Sequence, residues 1–344
     1  MLEIDGAHGE GGGQLLRMAA ALAAITGRAI RVRRIRARRD KPGLAPQHLA
    51  ALRAVAALSA ARSAGLELRS DTVELAPGGI AGGRHRFDVG TAGSVTLVMQ
   101  ALLPVMIAGG APCTATIAGG TDVRAAPPLD YFGEVLLPLV RRMGADARLT
   151  VRRRGYYPRG GGEVELAVAP GKGIRPLELE HRGKVGRVAG VAHVANLPDH
   201  IAARMRSSVL DRLDPAMRAR AAIETRVLGP EAANGPGGAI VAWASTEHTI
   251  LGAGRVAERG VPAEALGEAV GEALAADLAS GATLDLHAAD QMLIYLALAR
   301  GGAFATRELT SHAHTAIWLI EQFLPVRFEI SAAGALTRVA VVPR

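Results

Sequence analysis

The chain has 344 residues, of which 49% are hydrophobic and 3% aromatic, so it can bury a core of Ala, Val, Leu and Ile in one to three domains. Its formal net charge of +8 comes mostly from arginine and indicates an acidic partner such as nucleic acid or a nucleotide, although coding bias toward arginine explains the same excess equally well. The single cysteine, Cys113, excludes a disulfide framework and a cysteine-built metal site. Because no signal pattern or bilayer-spanning apolar run occurs, we expect a cytoplasmic protein without a membrane partner.

The predicted elements of residues 2–75 are a strand, then a helix, a strand, a helix and two strands. The order helix, strand, helix, strand, strand recurs at 92–168 and again at 287–342. This recurrence predicts an α/β (α+β) protein of three repeated units, each a small sheet covered by two helices. The predicted helices are 11–26, 46–60, 92–107, 128–143, 287–298 and 312–323, and the predicted strands are 2–5, 30–35, 66–69, 73–75, 113–117, 147–152, 163–168, 303–306, 326–330 and 335–342.

Residues 183–281 do not follow this order. They are predicted to form a strand, a helix, two strands and a long helix, with Gly-rich and Pro-rich joints near both ends. We therefore expect a large catalytic domain, residues 1–182 and 282–344, and a smaller α/β domain, residues 183–281, inserted into the third unit.

Two histidines, His312 and His314, lie at the start of the last predicted helix. A helix N-terminus favours an anion such as phosphate and disfavours imidazolium. A neutral imidazole beside a bound phosphate is a suitable nucleophile. The alternative is that Ser311 caps the helix and the histidines have no role.

A glycine-rich segment, residues 5–14, joins the first predicted strand to the first predicted helix. Its glycines let the backbone approach a ligand closely and leave N–H groups free for oxyanions. Glu10 can hold Mg²⁺ or Mn²⁺ beside phosphates through its carboxylate oxygens. The segment is neither a P-loop nor a dinucleotide-binding fingerprint, and a tight connection with a solvated Glu10 is the alternative.

Seven basic residues lie between positions 31 and 41. On a continuous strand, Arg34, Arg36 and Arg38 would share one face, and Arg31 and Arg33 the other. Arginine donors suit phosphate oxygens, so this density favours a polyanionic ligand over a merely solvated surface.

Three further segments carry weaker signals. The glycines at 160–162 indicate a hairpin that needs positive φ, and Arg154 and Arg159 beside them are candidates for contact with nucleic acid. Tyr131 is a candidate for stacking on a base. Asp290, near a predicted helix start, is a candidate for binding a metal or a nucleotide hydroxyl, or for capping the helix.

Taken together and in this order, these segments resemble the RNA 3′-terminal phosphate cyclase family. The resemblance covers nearly the whole chain and is weakest in residues 183–281, and the arginine-to-triple-glycine motif is the most specific of its parts. The matching motifs are Asp5-Gly6-x-x-Gly9-Glu10-Gly11-Gly12-Gly13-Gln14-x-x-Arg17, Ile35-Arg36-Ala37-x-Arg39-x-Lys41-Pro42-Gly43-Leu44, Gln47-His48, Gly119-Gly120-Thr121-Asp122, Arg154-Gly155-x-x-Pro158-x-Gly160-Gly161-Gly162, Asp290-Gln291 and His312-x-x-Thr315 with Phe323-Leu324-Pro325.

The resemblance implies an ATP-dependent reaction on an RNA 3′-phosphate end. A histidine attacks the α-phosphate of ATP, which gives a covalent histidyl-AMP and releases pyrophosphate. The AMP passes to the RNA 3′-phosphate, and the vicinal 2′-OH then expels AMP and closes a 2′,3′-cyclic phosphate. The covalent intermediate divides one difficult step into easier ones.

The resemblance also assigns residues by position. The nucleophile falls on His312 rather than on His314, and the metal-binding glutamate falls on Glu10, with Mg²⁺ or Mn²⁺ as the metal. The residues around the phosphates and the RNA end are Gln14, Arg17, Arg36, Arg39 and Gln47. The ATP-binding residues are Gln100, His287, Ala288, Ala289, Asp290 and Gln291.

Three other classes of protein compete with an active cyclase. Cyclase-like proteins of ribosome assembly share the fold but lack the nucleophilic histidine, whereas His312, Glu10, Arg17 and Arg39 are all present here. An enolpyruvyl transferase is disfavoured by the triple-glycine hairpin, and a generic RNA-binding module leaves Glu10 unexplained. The sequence leaves open whether the protein is a homodimer.

Overall fold

The computed structural model describes residues 1–171 and 173–344, and in them strands and helices form a mixed α/β protein with four sheets. This confirms the predicted fold class. Among the described residues, no helix is both long and apolar enough to cross a membrane. The equivalence of three repeated units stays a prediction.

The first sheet has the strand order β1-β2-β4-β3, with α1 packed against it and α2 packed against α1. The prediction of a strand at 66–69 is wrong. Strand β3 pairs with β4 from Arg62 opposite Ala76 to Ala64 opposite Glu74, so the residues between them must form the connecting loop. The elements are β1 (Leu2–Asp5), α1 (Gly13–Thr26), β2 (Ile30–Arg33), α2 (Pro46–Leu58), β3 (Arg62–Ala64) and β4 (Val73–Ala76).

The arginine run does not continue as a strand beyond Arg33. Arg34 and Arg36 adopt positive φ angles of 56° and 52°, so the chain turns sharply there. The predicted alternation of Arg34, Arg36 and Arg38 on one face is therefore wrong, because these side chains leave a curled loop in different directions.

The second sheet has the order β11-β7-β8-β6-β5, where β5 was not predicted because its residues are charged and largely exposed. The predicted helix 128–143 is one helical run interrupted by a π-helical turn, Phe132–Leu136. The elements are β5 (Gly83–Asp88), α3 (Val95–Gly109), β6 (Cys113–Gly119), α4 (Leu129–Tyr131), α5 (Leu137–Arg142), β7 (Ala147–Gly155) and β8 (Gly162–Val168).

The third sheet, β10-β9-β12-β13, lies wholly within residues 185–256 and is covered by α6 and α8, with a hydrophobic cluster of its own. We propose on this basis that residues 183–281 form the smaller domain. The elements are β9 (Val185–Ala195), α6 (Asp199–Asp211), α7 (Pro215–Arg220), β10 (Ala222–Leu228), β11 (Ala233–Asn234), β12 (Gly237–Thr246), β13 (Ile250–Val256) and α8 (Ala263–Ser280).

The fourth sheet has the order β14-β16-β15. Helix α10 packs on α1 and α9, which places the N-terminal glycine-rich segment beside the start of α10. This contact between the two ends of the chain builds the candidate site. The elements are α9 (Leu286–Leu298), β14 (Gly302–Thr306), α10 (Ser311–Phe323), β15 (Val326–Ala333) and β16 (Leu336–Pro343).

Candidate active site

The N-terminus of α10 carries His312 on its first turn. Thr310 is the N-cap, and its Oγ1 accepts a hydrogen bond from the Ala313 N–H at 3.0 Å. Ser311 therefore does not cap the helix, contrary to the alternative considered above. Its hydroxyl instead lies 3.4 Å from Oε2 of Glu10, to which it can donate.

His312 and Glu10 are in direct contact, with Nδ1 of the imidazole 2.8 Å from Oε2 of the carboxylate. A carboxylate accepts, so Nδ1 carries the proton and Nε2 keeps a free lone pair. Burial lowers the pKa of His312, and Arg17 and Arg39 lower it further, although Glu10 acts in the opposite direction. Both the contact with Glu10 and the lowered pKa favour a neutral imidazole whose Nε2 is unprotonated.

The backbone of the glycine-rich segment lies in close contact with α10. A Cβ at Gly9, where φ is +56°, would lie 2.2 Å from Oγ1 of Thr315. His8 stacks on Trp318 of α10 with 3.6 Å between ring centroids. Glycine at position 9 and this stacked pair fix the segment that carries Glu10.

Arg39 holds the other oxygen of Glu10, with 2.7 Å between Nη2 and Oε1. Arg38 donates to the carbonyl of Gly9 at 3.3 Å. Arg36 donates to the carbonyl of Gly43 at 2.9 Å and so stabilises its own loop. We refer to the three contacting side chains as the open cluster: Glu10, Arg39 and His312.

Gln47 and His48 occupy the first turn of α2, on the same side as Arg39. His48 is buried, and burial together with Arg17 lowers its pKa to about 3. A Cβ at Gly13 would lie 1.9 Å from Nε2 of His48, so only glycine permits this approach. His48 was not predicted to be a site residue, because its burial near Arg17, Arg36 and Arg39 depends on contacts that the local sequence does not indicate.

Arg17 is 8% exposed and makes no ion pair within the described part of the chain. Burial lowers its pKa to about 10, so the side chain remains charged at neutral pH. A buried cation without a carboxylate partner is costly unless an anion reaches it. Arg17 lines a cleft, which gives such an anion access.

That cleft is open to solvent and is bordered by α1, α3 and α9. It brings together five of the predicted site residues, and Gln100 donates to Gln291 across it at 2.6 Å. Its apolar side includes Met18 and Leu136, which the sequence motifs did not indicate. The lining residues are Gln14, Arg17, Met18, Ala21, Gln100, Leu136, Asp290, Gln291, Ile294 and Tyr295.

Asp290 does not cap α9, because Asp285 is the N-cap of that helix. Its Oδ1 instead accepts from Thr310 Oγ1 at 2.7 Å, which ties the cleft to the start of α10. Burial raises the pKa of Asp290 to about 7. On the same helix His287 is exposed, whereas Ala288 and Ala289 are buried.

A second ionic cluster joins the larger part of the fold to the smaller sheet. Its residues come from the loop after β6, from α4, from β7 and from β9. Arg154 donates to Asp122 at 3.0 Å and to Asp130 at 2.6 Å, and His193 lies between the two carboxylates. Arg154 and Thr121 lower the pKa of Asp122 despite its burial. We refer to these four side chains as the closed cluster: Asp122, Asp130, Arg154 and His193.

The closed cluster corrects two predictions about nucleic-acid contact. Arg154 is buried and its donors are used within the protein, so it is not available to RNA. Tyr131 is 1% exposed and donates to Asp285 at 2.6 Å, so it cannot stack on a base.

Two sets of side chains offer ligands to a cation. Ligand atoms of Asp122, Asp130 and His193 lie within 4.8 Å of one another, but the guanidinium of Arg154 already occupies the position of a cation there. Glu10 offers a single carboxylate beside the cleft. This fits a divalent ion that takes its remaining oxygens from phosphates, as Mg²⁺ commonly does.

A neutral histidine, a buried arginine without a carboxylate partner and a glycine-rich turn together form a site of the kind that binds and attacks phosphate groups. A profile of the family "RNA 3'-terminal phosphate cyclase" matches residues 8–330. The chain belongs to the RNA 3′-terminal phosphate cyclase family.

Relatives with the same family name are similar to this chain over nearly their full length. A protein of Nitrosospira multiformis is 55% identical over 344 residues, covering 100% of this chain and 97% of the relative. A protein of Hyperthermus butylicus is 45% identical, covering 94% and 92% respectively. A protein of Methanopyrus kandleri is 42% identical, covering 96% and 95%. Each is called RNA 3′-terminal phosphate cyclase.

Proposed function

We propose that this protein converts an RNA 3′-terminal phosphate to a 2′,3′-cyclic phosphate at the expense of ATP, through a covalent histidyl-AMP. The observation that carries this proposal is the state of His312. Its Nδ1 proton is directed to Glu10 at 2.8 Å, so the lone pair of Nε2 is free to attack phosphorus. Family membership and the names of the relatives support the same reaction.

The first step forms a bond between Nε2 of His312 and the α-phosphorus of ATP and breaks the bond to pyrophosphate. The neutral imidazole provides the electron pair, and pyrophosphate leaves with the bonding electrons. As positive charge develops on the ring, Glu10 stabilises it through the Nδ1 proton. Arg17 stabilises the negative charge of the phosphates from the floor of the cleft.

In the second step an oxygen of the RNA 3′-phosphate attacks the histidyl-AMP and releases neutral His312. In the third step the 2′-oxygen of the terminal ribose bonds to the 3′-phosphorus and gives its proton to solvent, while the bond from that phosphorus to AMP breaks and AMP leaves with the bonding electrons. AMP is a better leaving group than phosphate oxygen, which is why the end must first be adenylated. Arg39 belongs to the open cluster and Gln47 lies on the first turn of α2 beside His48, and we assign both to the RNA phosphate.

The cleft is proposed to hold the nucleoside of ATP. Gln100 and Gln291 offer amide groups to the base, and Met18 and Leu136 offer an apolar wall. Asp290 is suited to bind a ribose hydroxyl. We assign the neighbouring residues of α9, including His287, to the same nucleoside-binding surface. Gln14, which has a buried amide oxygen without a hydrogen-bond partner, faces the same cleft.

Glu10 would hold Mg²⁺ or Mn²⁺ together with phosphate oxygens. Such an ion would neutralise phosphate charge and help pyrophosphate to leave. In the structure, Oε1 of Glu10 contacts Arg39 and Oε2 contacts His312.

The test is incubation with α-³²P-labelled ATP and a divalent metal, followed by a denaturing gel. We expect an acid-labile label on the wild type and on His314→Ala, and none on His312→Ala. Addition of an RNA with a 3′-phosphate should discharge the label and yield a cyclic end. Loss of label only with His314→Ala would reassign the nucleophile, and no label on any folded variant would favour a non-catalytic RNA-binding protein.

A further inference from the structure

The tip of the hairpin between β7 and β8 carries Tyr157, which is 79% exposed. Within residues 1–171 and 173–344 it is the one exposed tyrosine, phenylalanine or tryptophan. A single exposed apolar residue is ordinary on a protein surface. Two further observations suggest a role for this ring: the hairpin tip is held by hydrogen bonds, and it lies close to the candidate active site.

The hairpin tip is held by several hydrogen bonds. The Tyr156 N–H donates to the carbonyl of Asn234 at 3.1 Å, and the Gly160 N–H donates to the carbonyl of Tyr156 at 2.8 Å. The side-chain amide of Asn234 donates to the carbonyl of Gly160 at 3.1 Å. The ring of Tyr157 is therefore presented from an ordered loop, which lowers the entropy cost of binding a flat partner.

The tip is joined to the candidate active site by a series of close backbone contacts. A Cβ at Gly160 would lie 2.8 Å from Cα of Ala92, and a Cβ at Gly93 would lie 3.1 Å from Cβ of Gln47. Gln47 precedes His48, which lies against the glycine-rich segment. The hairpin tip thus lies on the side of Gln47, which the proposed function assigns to the RNA end.

Arg159 is exposed two residues after Tyr157. An aromatic ring beside an arginine, on a chain of net charge +8, matches the chemistry of a single-stranded nucleic-acid site: bases stack on the ring and the cation pairs with the backbone.

We propose that Tyr157 stacks on a base of single-stranded RNA on the 5′ side of the terminal 3′-phosphate, and that Arg159 pairs with an adjacent backbone phosphate. The direction of the strand rests on the proposed function, which places the phosphate end at His312. The subsite gives the protein affinity for an RNA strand without a requirement for a particular base, because every base offers a flat face.

The experiment measures RNA binding without ATP, so that it does not depend on catalysis. Fluorescence anisotropy gives the Kd of a six-nucleotide RNA with a 3′-phosphate, and competition gives the Kd of a nucleoside 3′-phosphate. We expect Tyr157→Ala to raise the Kd of the RNA about tenfold, since stacking on an aromatic side chain contributes that order of affinity. Tyr157→Phe and the control Ile330→Ala, which removes another exposed apolar side chain, should leave it within about twofold of wild type.

The nucleoside 3′-phosphate should bind wild type and Tyr157→Ala equally, because it is too short to reach the hairpin tip. Arg159→Ala should flatten the slope of log K against log salt by about 0.7, which corresponds to one phosphate contact on a single strand. An unchanged Kd for the six-nucleotide RNA in Tyr157→Ala, an equal loss for the nucleoside 3′-phosphate, or no RNA binding by the wild type would overturn the subsite.

Labelling by α-³²P-ATP without RNA separates this inference from the proposed function. We expect Tyr157→Ala to be labelled at the wild-type rate. If neither protein is labelled, the proposed function fails, while the Kd values still decide whether the hairpin tip binds RNA.

Discussion

The open cluster and the closed cluster are built from the same residue types, a histidine, arginine and carboxylates, yet they differ in exposure. The side chains of the open cluster are 32–44% exposed, whereas those of the closed cluster are 0–12% exposed. In the closed cluster, Arg154 uses its donors on two carboxylates of the protein. In the open cluster, the one carboxylate is shared by Arg39 and His312, and Asp290 ties the start of α10 to the cleft that Arg17 lines.

This difference indicates that the two clusters have different roles. A buried group of charges is stable only when the charges compensate one another, and Arg154 provides that compensation for Asp122 and Asp130 in the closed cluster. Near the open cluster, by contrast, Arg17 has no carboxylate partner in the described residues, and its charge lowers the pKa of His312. A bound phosphate would supply the missing negative charge beside Arg17. We therefore expect variants of Arg154 to affect stability and variants of Arg17 to affect activity.

The largest expected effect on stability follows from Arg154→Met, which leaves Asp122 and Asp130 buried without their cation. The free energy of unfolding should fall by about 3–5 kcal/mol, measured by urea denaturation. Arg39→Met is the matched control, because its ion pair is solvent-exposed and should contribute less than about 1 kcal/mol. Equal losses in the two variants would show that exposure does not distinguish the clusters.

Arg17→Met should have a large effect on activity without destabilising the protein. It removes a buried cation that has no partner until ATP binds, so the free energy of unfolding should be unchanged or higher. Labelling by α-³²P-ATP should fall about 100-fold, as expected for loss of a group that stabilises transition-state charge. A marked loss of stability would mean that Arg17 supports the fold rather than the ligand.

The pH dependence of labelling gives a smaller but specific effect. Burial lowers the pKa of His312 below the ordinary value of 6.5, so the imidazole stays neutral and reactive through neutral pH. The labelling rate should decline only on acidification below that value, as the histidine becomes protonated. Arg39→Gln removes a cation that lowers this pKa, so the decline should begin at a higher pH than in the wild type.

A decline that begins at the same pH in wild type and Arg39→Gln would contradict the influence of Arg39 on His312. The comparison should use single-turnover rates at saturating ATP, because the variant also weakens phosphate binding. Arg38→Gln is a suitable control, since Arg38 contacts the backbone of Gly9 and is not among the groups that shift the pKa of His312.

Local patterns in the sequence predicted most helices and strands correctly, because apolar spacing and glycine positions act within a few residues. Gly27 ends α1 in the left-handed conformation, as its position after the apolar run indicates. Strand β5 was not predicted, because its charged residues do not show the apolar alternation of a strand and its extended conformation is defined by pairing with β6. Strand β3 was misplaced because its register depends on β4.

The sequence by itself determined which chemical groups are present: a histidine at a helix start, a glutamate in a glycine-rich turn and a run of arginines. Only the tertiary structure decided which of them act together. It placed Glu10 on His312 across 301 intervening positions and left Arg17 unpaired, while it enclosed Arg154 between two carboxylates. The physical reason is that charge compensation and burial depend on contacts between distant segments, which no local pattern encodes.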